Sequence, residues 1–567
     1  MNRYAWNTSL IECFNSMSLT GIRYDVAGAA SMRASLTPKA WETQAAVDTL
    51  AGVRLPTSTE ALLAAAGAAH CHTIKLRKRL KGYKEMRPVV DESGAPKARK
   101  NGKPARKAFA VPAREASWAL LAETANMAGA EPLARLRALT DTPPCGARDA
   151  EIASLLGIGV NVESPDQVIE TLDRLGLPAK FKRGARLDDD PSAGRTSDEE
   201  ALLDLFLKTG HPMTKALLEA RGVRGALSWL ESTKTDADGR VRCSFSNPGS
   251  ETGRVLTRKW HSGSGGNLQA VSASPINFRS LLRADDGFQM AQCDLKGADG
   301  WTVAARCAQQ GDATMLLDLQ AGIRIPSLLS LLMGGATFST PFNRAELRAL
   351  CKAVVKDWRD YAFKKSQHLS NYMGSAALIQ RETVRESWSE TGTPIDPGLP
   401  FCKRVQDLYL ARYWGLRAWW ADVERQVRRD GTLRGASGQV REFLSRRWTG
   451  TGSSRRLDHS CHKEAVASEP QMVTTYATNL ALWRCWTDLE NWPSGVVGDG
   501  IPHVQPLLHI HDALLVQFKE TNVVWVGQKL AQWFNNPIRI GSVTVNIPVE
   551  SAWGDSWSAC KQPFQSP

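Results

Sequence analysis

The sequence predicts a mixed α+β fold in which a small sheet lies among a larger number of helices. Helical periodicity is clear in alanine- and leucine-rich stretches such as residues 40–53. Strand-like patterns follow at residues 240–246, which alternate, and at residues 288–294, a short apolar run that ends at an acid. The last part of the chain mixes both patterns, since LLHIHDALLVQF is strand-like and residues 523–534 have an amphipathic helical repeat.

The patterns also predict how the chain is organised. Helical periodicity runs from Ala113 to about Glu231 and returns from Pro326 to about Gly450, with strand-like sequence before and after the second helical stretch. We therefore expect four parts: a helical region at 1–235 with a basic insertion at about 75–107, a sheet-bearing region at 236–320, a helical region at 321–451, and a second sheet-bearing region at 452–567.

Composition excludes some classes of protein. The chain of 567 residues is 43% hydrophobic and has no apolar run of about eighteen residues, so we expect a globular protein that does not span a membrane. The formal charge of +13 and a pI near 9.2 indicate a polyanionic partner. The eleven cysteines are scattered without a CxxC pair, and the first residues are too polar for a signal peptide. A reducing cytoplasm is therefore predicted.

Residues 75–107 form a densely basic stretch. Lysine and arginine dominate KLRKRLKGYKEMRPVVDESGAPKARKNGKPARK, glycine and proline interrupt it, and apolar residues are few. This composition predicts a loop or a hairpin. Two interpretations fit it: a solvated surface insertion, or an electrostatic clamp on a phosphate backbone. The large excess of basic over acidic residues favours the clamp.

Two aspartates stand where predicted strands end. Asp294 closes the apolar run FQMAQCD, and Asp512 lies between two strand-like runs, which predicts a tight hairpin with the acid at its tip. A buried carboxylate in such a turn is unfavourable unless it is paired or binds a metal. Two carboxylates at strand ends can hold two Mg²⁺ ions about 4 Å apart, one activating an attacking oxygen and one stabilising a leaving oxygen.

A third segment, KKSQHLSNYMG, carries Lys364, His368 and Tyr372 four residues apart. On one α-helix these side chains form a stripe along one face, because residues four apart lie about 40° apart around the axis. A cation followed by two flat rings suits a triphosphate, a sugar and a base in that order. Arg359 lies off the stripe but within reach of phosphates. Together with the two aspartates, this helix suggests template-directed polymerisation of nucleotides.

Segments along almost the whole chain resemble, in order, the family A DNA polymerases, the group of bacterial DNA polymerase I and many phage replicative enzymes. They are GIRYD at 21–25, VNVESPDQVIETLDRLGLP at 160–178, RTSDEEALLDLF at 195–206, ALLEARGVRGALSWLES at 216–232, GRVRCSFSNPGSETGRVLT at 239–257, GGNLQAVS at 265–272, QCDLKGAD at 292–299, KKSQHLSNYMG at 364–374, EPQMVTT at 469–475, HDA at 511–513 and PVESAWGDSW at 548–557. The resemblance implies a right-hand polymerase, in which 1–235 is the thumb, 236–320 and 452–567 carry the palm sheet, and 321–451 are helical fingers.

The resemblance also assigns the metal and catalytic roles. It implies that Asp294 and Asp512 bind two Mg²⁺ ions, for which Mn²⁺ could substitute, with the main-chain carbonyl of Leu295 as a further ligand. It implies that Lys364 contacts the triphosphate and protonates pyrophosphate as it leaves. These are the chemical steps of nucleotidyl transfer.

Further residues are assigned to the nucleotide and to the primer–template by the same resemblance. Asp299 occupies the place of a glutamate that crowds the sugar 2′ position, and Tyr372 is expected near the template base and the insertion site. Arg359, Lys364 and His368 complete the nucleotide-binding set. The residues expected to contact the primer end and the minor groove are Arg254, Asn267, Gln269, Gln471 and His511.

This sequence departs from the family pattern at several positions. Asp299 is shorter than the usual glutamate, so discrimination against ribonucleotides is expected to be weaker or to depend on a neighbour. His368 replaces a phenylalanine or tyrosine. Asp360 stands where the family has an arginine one helical turn before the motif B lysine, and Arg359 is expected to take over that phosphate contact. Ala513 replaces the second acid of motif C.

In polymerases that proofread, a nuclease domain of about 150–200 residues precedes the thumb. Here the thumb-like GIRYD begins by residue 21, so we expect no 3′-to-5′ exonuclease and no 5′ nuclease in this polypeptide. The expected partners are primer–template DNA and deoxynucleoside triphosphates, with a separate exonuclease or processivity factor and no membrane. The expected location is the cytoplasm, or the host cytoplasm if a phage encodes the chain.

Two other functions stay open at this point. The chain could copy RNA or accept ribonucleotides by the same chemistry. It could also be a catalytically silent nucleic-acid-binding relative, although retention of Asp294, Asp512 and Lys364 argues against this.

Overall fold

The computed structural model describes residues 3–54, 84–88, 106–110, 135, 138–139, 142–143, 145–155, 159–177, 195–247, 250–336, 338, 343–444, 448–451 and 456–564. Its helices are α1 (Arg3–Thr20), α2 (Val26–Leu50), α3 (Gly146–Leu155), α4 (Pro165–Arg174), α5 (Glu199–Thr209), α6 (Pro212–Ser232), α7 (Ala298–Gln309), α8 (Thr314–Gln320), α9 (Ile325–Met333), α10 (Arg344–Ala353), α11 (Arg359–Asn371), α12 (Ala376–Thr391), α13 (Leu399–Arg412), α14 (Gly415–Asp430), α15 (His459–Thr487) and α16 (Val523–Phe534). Its strands are β1 (Ile22–Tyr24), β2 (Lys84–Pro88), β3 (Arg106–Ala110), β4 (Arg240–Val241), β5 (Cys243–Ser246), β6 (Leu256–Lys259), β7 (Leu282–Arg283), β8 (Phe288–Leu295), β9 (Thr432–Arg434), β10 (Val440–Glu442), β11 (Trp448–Thr449), β12 (Arg456–Leu457), β13 (Val504–Ile510), β14 (Ala513–Lys519), β15 (Pro537–Ile540), β16 (Val543–Asn546), β17 (Val549–Gly554) and β18 (Gln562–Pro563).

The chain forms two compact units. One comprises residues 1–31 and 229–567, and the other comprises residues 32–228. Every cysteine that the structure describes is a free thiol. In the described ranges no single helix is long and apolar enough to cross a membrane, and α8 and α9 pass that test only as a pair bent by 117°.

The unit of residues 32–228 is mainly helical where it is described, and buried polar groups tie its segments together. Asp48 of α2 accepts hydrogen bonds from the Val160 amide over 2.8 Å and from Gln44 Nε2 over 3.1 Å. Arg224 of α6 donates to Gln44 Oε1 over 2.8 Å. Because buried polar atoms must be paired, these bonds fix the loop before α4 against α2 and α6.

The basic stretch of residues 75–107 is described only in its strands. β2 and β3 pair antiparallel, with Lys84 opposite Ala110 and Pro88 opposite Arg106. The predicted hairpin is confirmed for these two strands. The rest of the stretch lies outside the described residues, so the electrostatic clamp stays a prediction.

The larger unit is built around a five-stranded antiparallel sheet with the strand order β13-β14-β8-β17-β18. β8 pairs with β14 on one side and with β17 on the other. β13 and β14 are buried along almost their whole length, which explains why LLHIHDALLVQF is apolar on both faces of each strand. Helices α1, α15 and α16 pack against this sheet and form one hydrophobic core with it. The predicted mixed α+β class is confirmed.

The longest helix of the sheet-bearing unit was not predicted from sequence. α15 spans 29 residues, from His459 to Thr487, although Pro470 lies inside it. An interior proline removes a helical hydrogen bond and disfavours a continuous helix. Most residues of α15 are buried against α1, α7, α14 and α16, so tertiary packing rather than local preference sustains it.

Helices α9, α11, α12 and α13 pack together beside α7 and α14. The helical pattern predicted from Pro326 to about Gly450 is confirmed up to α14, after which β9 and β10 form a short hairpin. The GIRYD segment forms β1, which pairs with β4 and β7 in the larger unit. The division into thumb, palm and fingers stays a prediction.

Candidate active site

Two adjacent strands bring Asp294 and Asp512 to the same end of the sheet. Asp294 is the penultimate residue of β8, and the residue opposite it on β14 is Ala513, which directly follows Asp512. The Leu295 amide donates a hydrogen bond to the main-chain oxygen of Asp512 over 3.0 Å. Two segments that are far apart in sequence therefore join through their main chains at this point.

The predicted tight hairpin is confirmed at the tip of β13 and β14. Ile510 pairs with Ala513, so that His511 and Asp512 form a two-residue turn. His511 has a φ of +49°, the left-handed conformation that such turns require and that residues other than glycine adopt infrequently. The turn fixes the main chain at Asp512, so the carboxylate can move only by rotation about its side-chain bonds.

The two aspartates are half-buried carboxylates, and their pKa values are both raised. Burial, together with the negative charges of Asp512 and Glu550, raises the pKa of Asp294 to about 7. Burial also raises the pKa of Asp512, and the charge of Asp299 adds to that shift. Among the residues described, no lysine or arginine forms an ion pair with Asp294 or Asp512. Half-buried carboxylates that repel each other offer the charge and the oxygen ligands that a hard divalent cation needs.

Glu550 is a third acid beside this pair, and the sequence analysis missed its position. β17 places it directly opposite Asp294, and it forms an exposed ion pair with Lys296. Within the described ranges, no set of three or more His, Cys, Asp or Glu side chains is arranged to hold a metal ion. The candidate metal site therefore consists of the two aspartates. Alternation in VTVNIPVE predicts a strand, but it does not give the register of that strand against β8.

Asp299 lies in the first turn of α7 and is held by two hydroxyl groups. Tyr372 donates to its Oδ2 over 2.8 Å, and Thr474 of α15 donates to its Oδ1. Burial, followed by the charge of Asp299, raises the pKa of Tyr372 well above its ordinary value, so this phenol stays a hydrogen-bond donor. Thr474 was not among the residues predicted for the site.

The positive charge of Arg254 acts on residues from two other segments. Burial lowers the pKa values of His511 and His368, and Arg254 contributes in the same direction. Burial raises the pKa values of Asp512 and Tyr372, and Arg254 opposes both shifts. The end of α11 and the β13–β14 turn therefore form a group around Arg254, and Lys365 adds a second positive charge that acts on His368.

Lys364 is a partly exposed side chain of α11. Its Nζ is 3.7 Å from Asp360 Oδ2 and 5.7 Å from the centre of the Tyr361 ring, and the side chain is 46% exposed. His368, one helical turn further along, belongs to the group around Arg254. Because one turn advances the helix by about 5.4 Å, Lys364 flanks that group.

The predicted stripe of Lys364, His368 and Tyr372 begins on α11, but Tyr372 lies one residue beyond the end of the helix. α11 ends at Asn371, and Tyr372 has a φ of −113° and a ψ of 34°. Met373 adopts a left-handed φ of +58°, and the Gly374 amide donates to the Leu369 oxygen over 2.8 Å, as in a Schellman cap. The cap turns Tyr372 towards Asp299, while its ring still meets His368 edge to face with centroids 5.5 Å apart.

Two arginines near Lys364 are bound by acids. Arg359 starts α11 and pairs with Asp357, with Nε 2.8 Å from Oδ2. Asp360 is bound by both terminal nitrogens of Arg324, over 2.6 and 2.7 Å. Arg324 and Lys364 thus share the Oδ2 atom of Asp360. Arg324 was not predicted for the site, because it directly precedes α9 and no local pattern connects it with α11.

The residues expected at the primer differ in whether their side chains are hydrogen-bonded within the protein. Gln269 Nε2 donates to two main-chain oxygens, one of them that of His509 over 2.8 Å, and its Oε1 accepts the Thr257 amide over 3.2 Å. Asn267 Oδ1 accepts the Thr257 hydroxyl over 2.7 Å. The Gln269 amide therefore braces the loop after β6 against β13. Gln471 is half-buried on α15, and its amide makes no hydrogen bond with any described residue.

No protein-family model matches the chain. The chain is similar to DNA polymerase I of Mycobacterium bovis and of Mycobacterium tuberculosis, with 25% identity over 430 residues in each case. It is 27% identical over 429 residues to DNA polymerase I of Mycobacterium leprae. Each match covers 73% of this chain and 40% of the relative, so the chain spans about two fifths of the length of these curated relatives.

A solved structure has a similar fold: the POL domain of Pol1 from Mycobacterium smegmatis in complex with DNA primer-template and dNTP. The TM-score is 0.50 at 20% sequence identity, and the match covers 72% of this chain and 63% of that chain. These comparisons confirm the resemblance to the DNA polymerase I group and show that the larger part of the chain has the fold of its polymerase domain.

Proposed function

We propose that this chain, which has the polymerase-domain fold of DNA polymerase I and resembles the family A DNA polymerases, extends a primer 3′-OH with deoxynucleoside triphosphates opposite a DNA template. The observation that carries the proposal is the meeting of Asp294 and Asp512 as half-buried carboxylates that form no ion pair among the described residues. The structural relative holds primer–template DNA and a dNTP on the same fold, which supports this choice of substrates.

The donor set of the site fits divalent cations. Asp294 and Asp512 supply carboxylate oxygens, the ligands that Mg²⁺ prefers, and their mutual repulsion is relieved by positive charge. In the proposal they hold two Mg²⁺ ions, with Mn²⁺ as a substitute and the Leu295 carbonyl as a further ligand. When bound, the ions supply Lewis-acid activation of the attacking oxygen and charge stabilisation of the leaving oxygen.

The remaining steps are assigned to side chains of α11. In the proposed reaction the primer 3′ oxygen attacks the α-phosphorus in line, a new P–O bond forms, and the bond to the pyrophosphate oxygen breaks. Lys364 binds the triphosphate and gives a proton to the departing pyrophosphate. Its contact with Asp360 is long, at 3.7 Å, and the side chain is partly exposed, so phosphate oxygens can replace that contact at little cost.

Sugar and base recognition are assigned to the group around Arg254. Asp299 crowds the 2′ position of the incoming sugar, while His368 and Tyr372 face the base and the template. Arg254 and His511 lie beside Asp512, where the primer end must arrive for attack. The Gln471 amide, which bonds to no described residue, is assigned a minor-groove contact, whereas Asn267 and Gln269 act through the loop that they stabilise.

Binding of the DNA is assigned in part to the basic stretch at 75–107. A net charge of +13 favours a polyanion, and displacement of counterions from phosphates makes such binding sensitive to salt. Deletion of the stretch should shorten the product made per binding event and reduce the salt dependence of affinity. An unchanged salt slope and product length would leave it a surface insertion.

The proposal includes no nuclease step in this polypeptide. Proofreading is left to a separate exonuclease, with a processivity factor as a second expected partner and the cytoplasm as the place of action. Homogeneous protein should leave a mismatched primer end intact when nucleotides are withheld. Release of mononucleotides from that end would contradict this part of the proposal.

Primer extension by Asp512→Asn tests the proposed activity. Asp512→Asn should bind primer–template like the wild type but fail to extend it, because the substitution removes a charge from the metal site and keeps its shape. Asp499→Asn, which changes an exposed aspartate before β13, is the matched control and should extend normally. If wild type and Asp512→Asn both bind duplex and neither extends it, the chain is a silent binding protein instead.

Acceptance of ribonucleotides is a second candidate, because Asp299 is shorter than the glutamate of the family. Incorporation from deoxy- and ribonucleoside triphosphates on DNA and RNA templates separates the candidates. The proposed function predicts the highest kcat/KM for deoxynucleotides on DNA. A preference for an RNA template or for ribonucleotides would replace it.

A further inference from the structure

Asp299 is held from two sides by side chains of different segments. Tyr372, just beyond the end of α11, donates to Oδ2, and Thr474 of α15 donates to Oδ1. Both carboxylate oxygens therefore have their own hydroxyl donor. An aspartate has one methylene fewer than a glutamate and fewer rotatable bonds, so two such hydrogen bonds leave its carboxylate little freedom.

Thr474 behaves differently from other threonines of the same helix. The hydroxyls of Thr478 and Thr487 donate to the main-chain oxygen four residues earlier, the usual local bond of threonine in a helix. The Thr474 hydroxyl is directed to Asp299 instead. Thr474 is 6% exposed, so water does not compete for this bond, and a hydroxyl bound to a charged acceptor is a strong donor.

The position of Asp299 matters for the candidate site around it. Its charge acts on Asp512, which lies in the metal-binding turn, and on His368 and Tyr372 at the end of α11. Asp299 lies close to both the metal-binding turn and the end of α11. The two hydroxyl donors therefore decide how much space is left beside it.

We propose that Thr474 is a positioning residue that fixes Asp299 against the 2′ position of the incoming sugar and thereby sets the preference for deoxynucleotides. The inference rests on the proposed function, because it requires a nucleotide sugar beside Asp299. Without the Thr474 hydroxyl, Oδ1 of Asp299 loses its hydrogen-bond donor. The carboxylate can then rotate while Oδ2 keeps its hydrogen bond from Tyr372. The space that a 2′-hydroxyl needs then becomes available.

Single-nucleotide primer extension tests the inference by the ratio of kcat/KM for a deoxynucleotide to kcat/KM for the matching ribonucleotide. Thr474→Val keeps the shape and removes the hydroxyl, and we expect the ratio to fall about tenfold, the effect of one hydrogen bond to a charged group. Thr474→Ser keeps the hydroxyl and should keep the ratio. Thr487→Val, the control, removes a hydroxyl of the same helix that donates to the Trp483 main-chain oxygen and should also keep the ratio.

A double-mutant cycle separates positioning from packing. In an Asp299→Ala background, Thr474→Val should not change the ratio further, because no carboxylate remains to be positioned. Equal losses in both backgrounds, or an unchanged ratio for Thr474→Val alone, would overturn the inference. Should Thr474→Val not fold, Thr474→Ala removes the same hydroxyl without adding bulk, and thermal unfolding beside Thr487→Val reports on folding.

Failure of the inference can be told apart from failure of the proposed function. If wild-type protein extends a primer while Thr474→Val keeps the full deoxynucleotide preference, only the role of Thr474 is wrong. If wild-type protein extends no primer with either sugar, the proposed function itself fails, and the inference fails with it.

Discussion

The strand pair β8–β14 and the helix α11 both supply the candidate site, but they hold their side chains differently. Asp294 and Asp512 are fixed by the strand ladder and by the hydrogen bond from the Leu295 amide to the main-chain oxygen of Asp512. Lys364 and Arg359 are exposed and contact acids of their own segment. The comparison indicates that the sheet fixes the position of the candidate metal site. The helix carries lysine and arginine side chains whose ion pairs with acids can be replaced by contacts with phosphate.

The largest effect should come from the sheet. Asp294→Asn should lower kcat/KM for nucleotide incorporation by about a thousandfold, because a charge fixed at the reacting centre is lost. Glu550→Gln changes the acid opposite Asp294, and its loss should be at most about fivefold, since its ion pair with Lys296 is exposed. Single-turnover primer extension measures both. Equal losses of kcat/KM would mean that Glu550 is also a metal ligand and that Asp294 and Asp512 are not the whole metal site.

A smaller effect is expected from the helix. Lys364→Ala should lower the rate of incorporation about a hundredfold, because a proton donor and a phosphate contact are removed together. Lys365→Ala is the matched control, since the Lys365 ammonium pairs with Glu386 of α12. Pre-steady-state incorporation at saturating nucleotide gives the comparison. If the two variants lose activity equally, the general charge of α11 matters and not the position of Lys364.

The two arginines near Lys364 are expected to differ in role: Arg359 is assigned to phosphate binding, and Arg324 to holding Asp360 in the packed structure. Arg359→Gln should raise the KM for nucleotide about tenfold, the worth of a charge-assisted contact, with little change in Tm because its pair with Asp357 is exposed. Arg324→Gln should lower Tm by about 2–4 °C, because the half-buried Asp360 loses its bidentate partner. Steady-state kinetics and thermal unfolding of both variants test this. The reverse pattern would make Arg324 the phosphate ligand and Arg359 a packing residue.

The smallest effect concerns the repulsion between the aspartates in metal-free protein. The pKa of Asp294 is raised to about 7, so its contribution to stability is present below its unfolded value near 4 and is lost as pH rises through about 7. Without divalent cations, Asp294→Asn should therefore have a higher Tm than wild type at about pH 8, and this difference should shrink towards about pH 5.

Addition of Mg²⁺ supplies the control for that prediction. Because a ligand of the folded state stabilises it, Mg²⁺ should raise the Tm of wild type more than that of Asp294→Asn. A wild-type Tm that is insensitive to both pH and Mg²⁺ across this range would mean that the two carboxylates do not repel each other.

Sequence patterns predicted those parts of the molecule that local chemistry determines. The apolar runs before Asp294 and on both sides of Asp512 mark strand ends, and the structure has strands at both places. Helix α11 was predicted from its periodicity, but its end was not, because Met373 gives no sign of the left-handed conformation that closes the helix. Patterns describe one segment at a time, so they fix elements better than the contacts between them.

The residues that the sequence did not reveal are those brought in by tertiary packing. Thr474 contacts Asp299 from α15, a helix that the sequence pattern does not predict because Pro470 lies inside it. Glu550 depends on the register of β17 against β8, and Arg324 on the packing of α9 beside α11. Each contact joins segments that are far apart along the chain, so no spacing rule could have found it.

The most direct test of the central claim is a structure of the chain with primer–template DNA, an incoming deoxynucleotide and Mn²⁺, whose anomalous signal locates the cations. The account predicts cation density between the carboxylates of Asp294 and Asp512, with the triphosphate reaching from there to Lys364. Cations bound elsewhere, or a nucleotide that contacts neither aspartate, would contradict it.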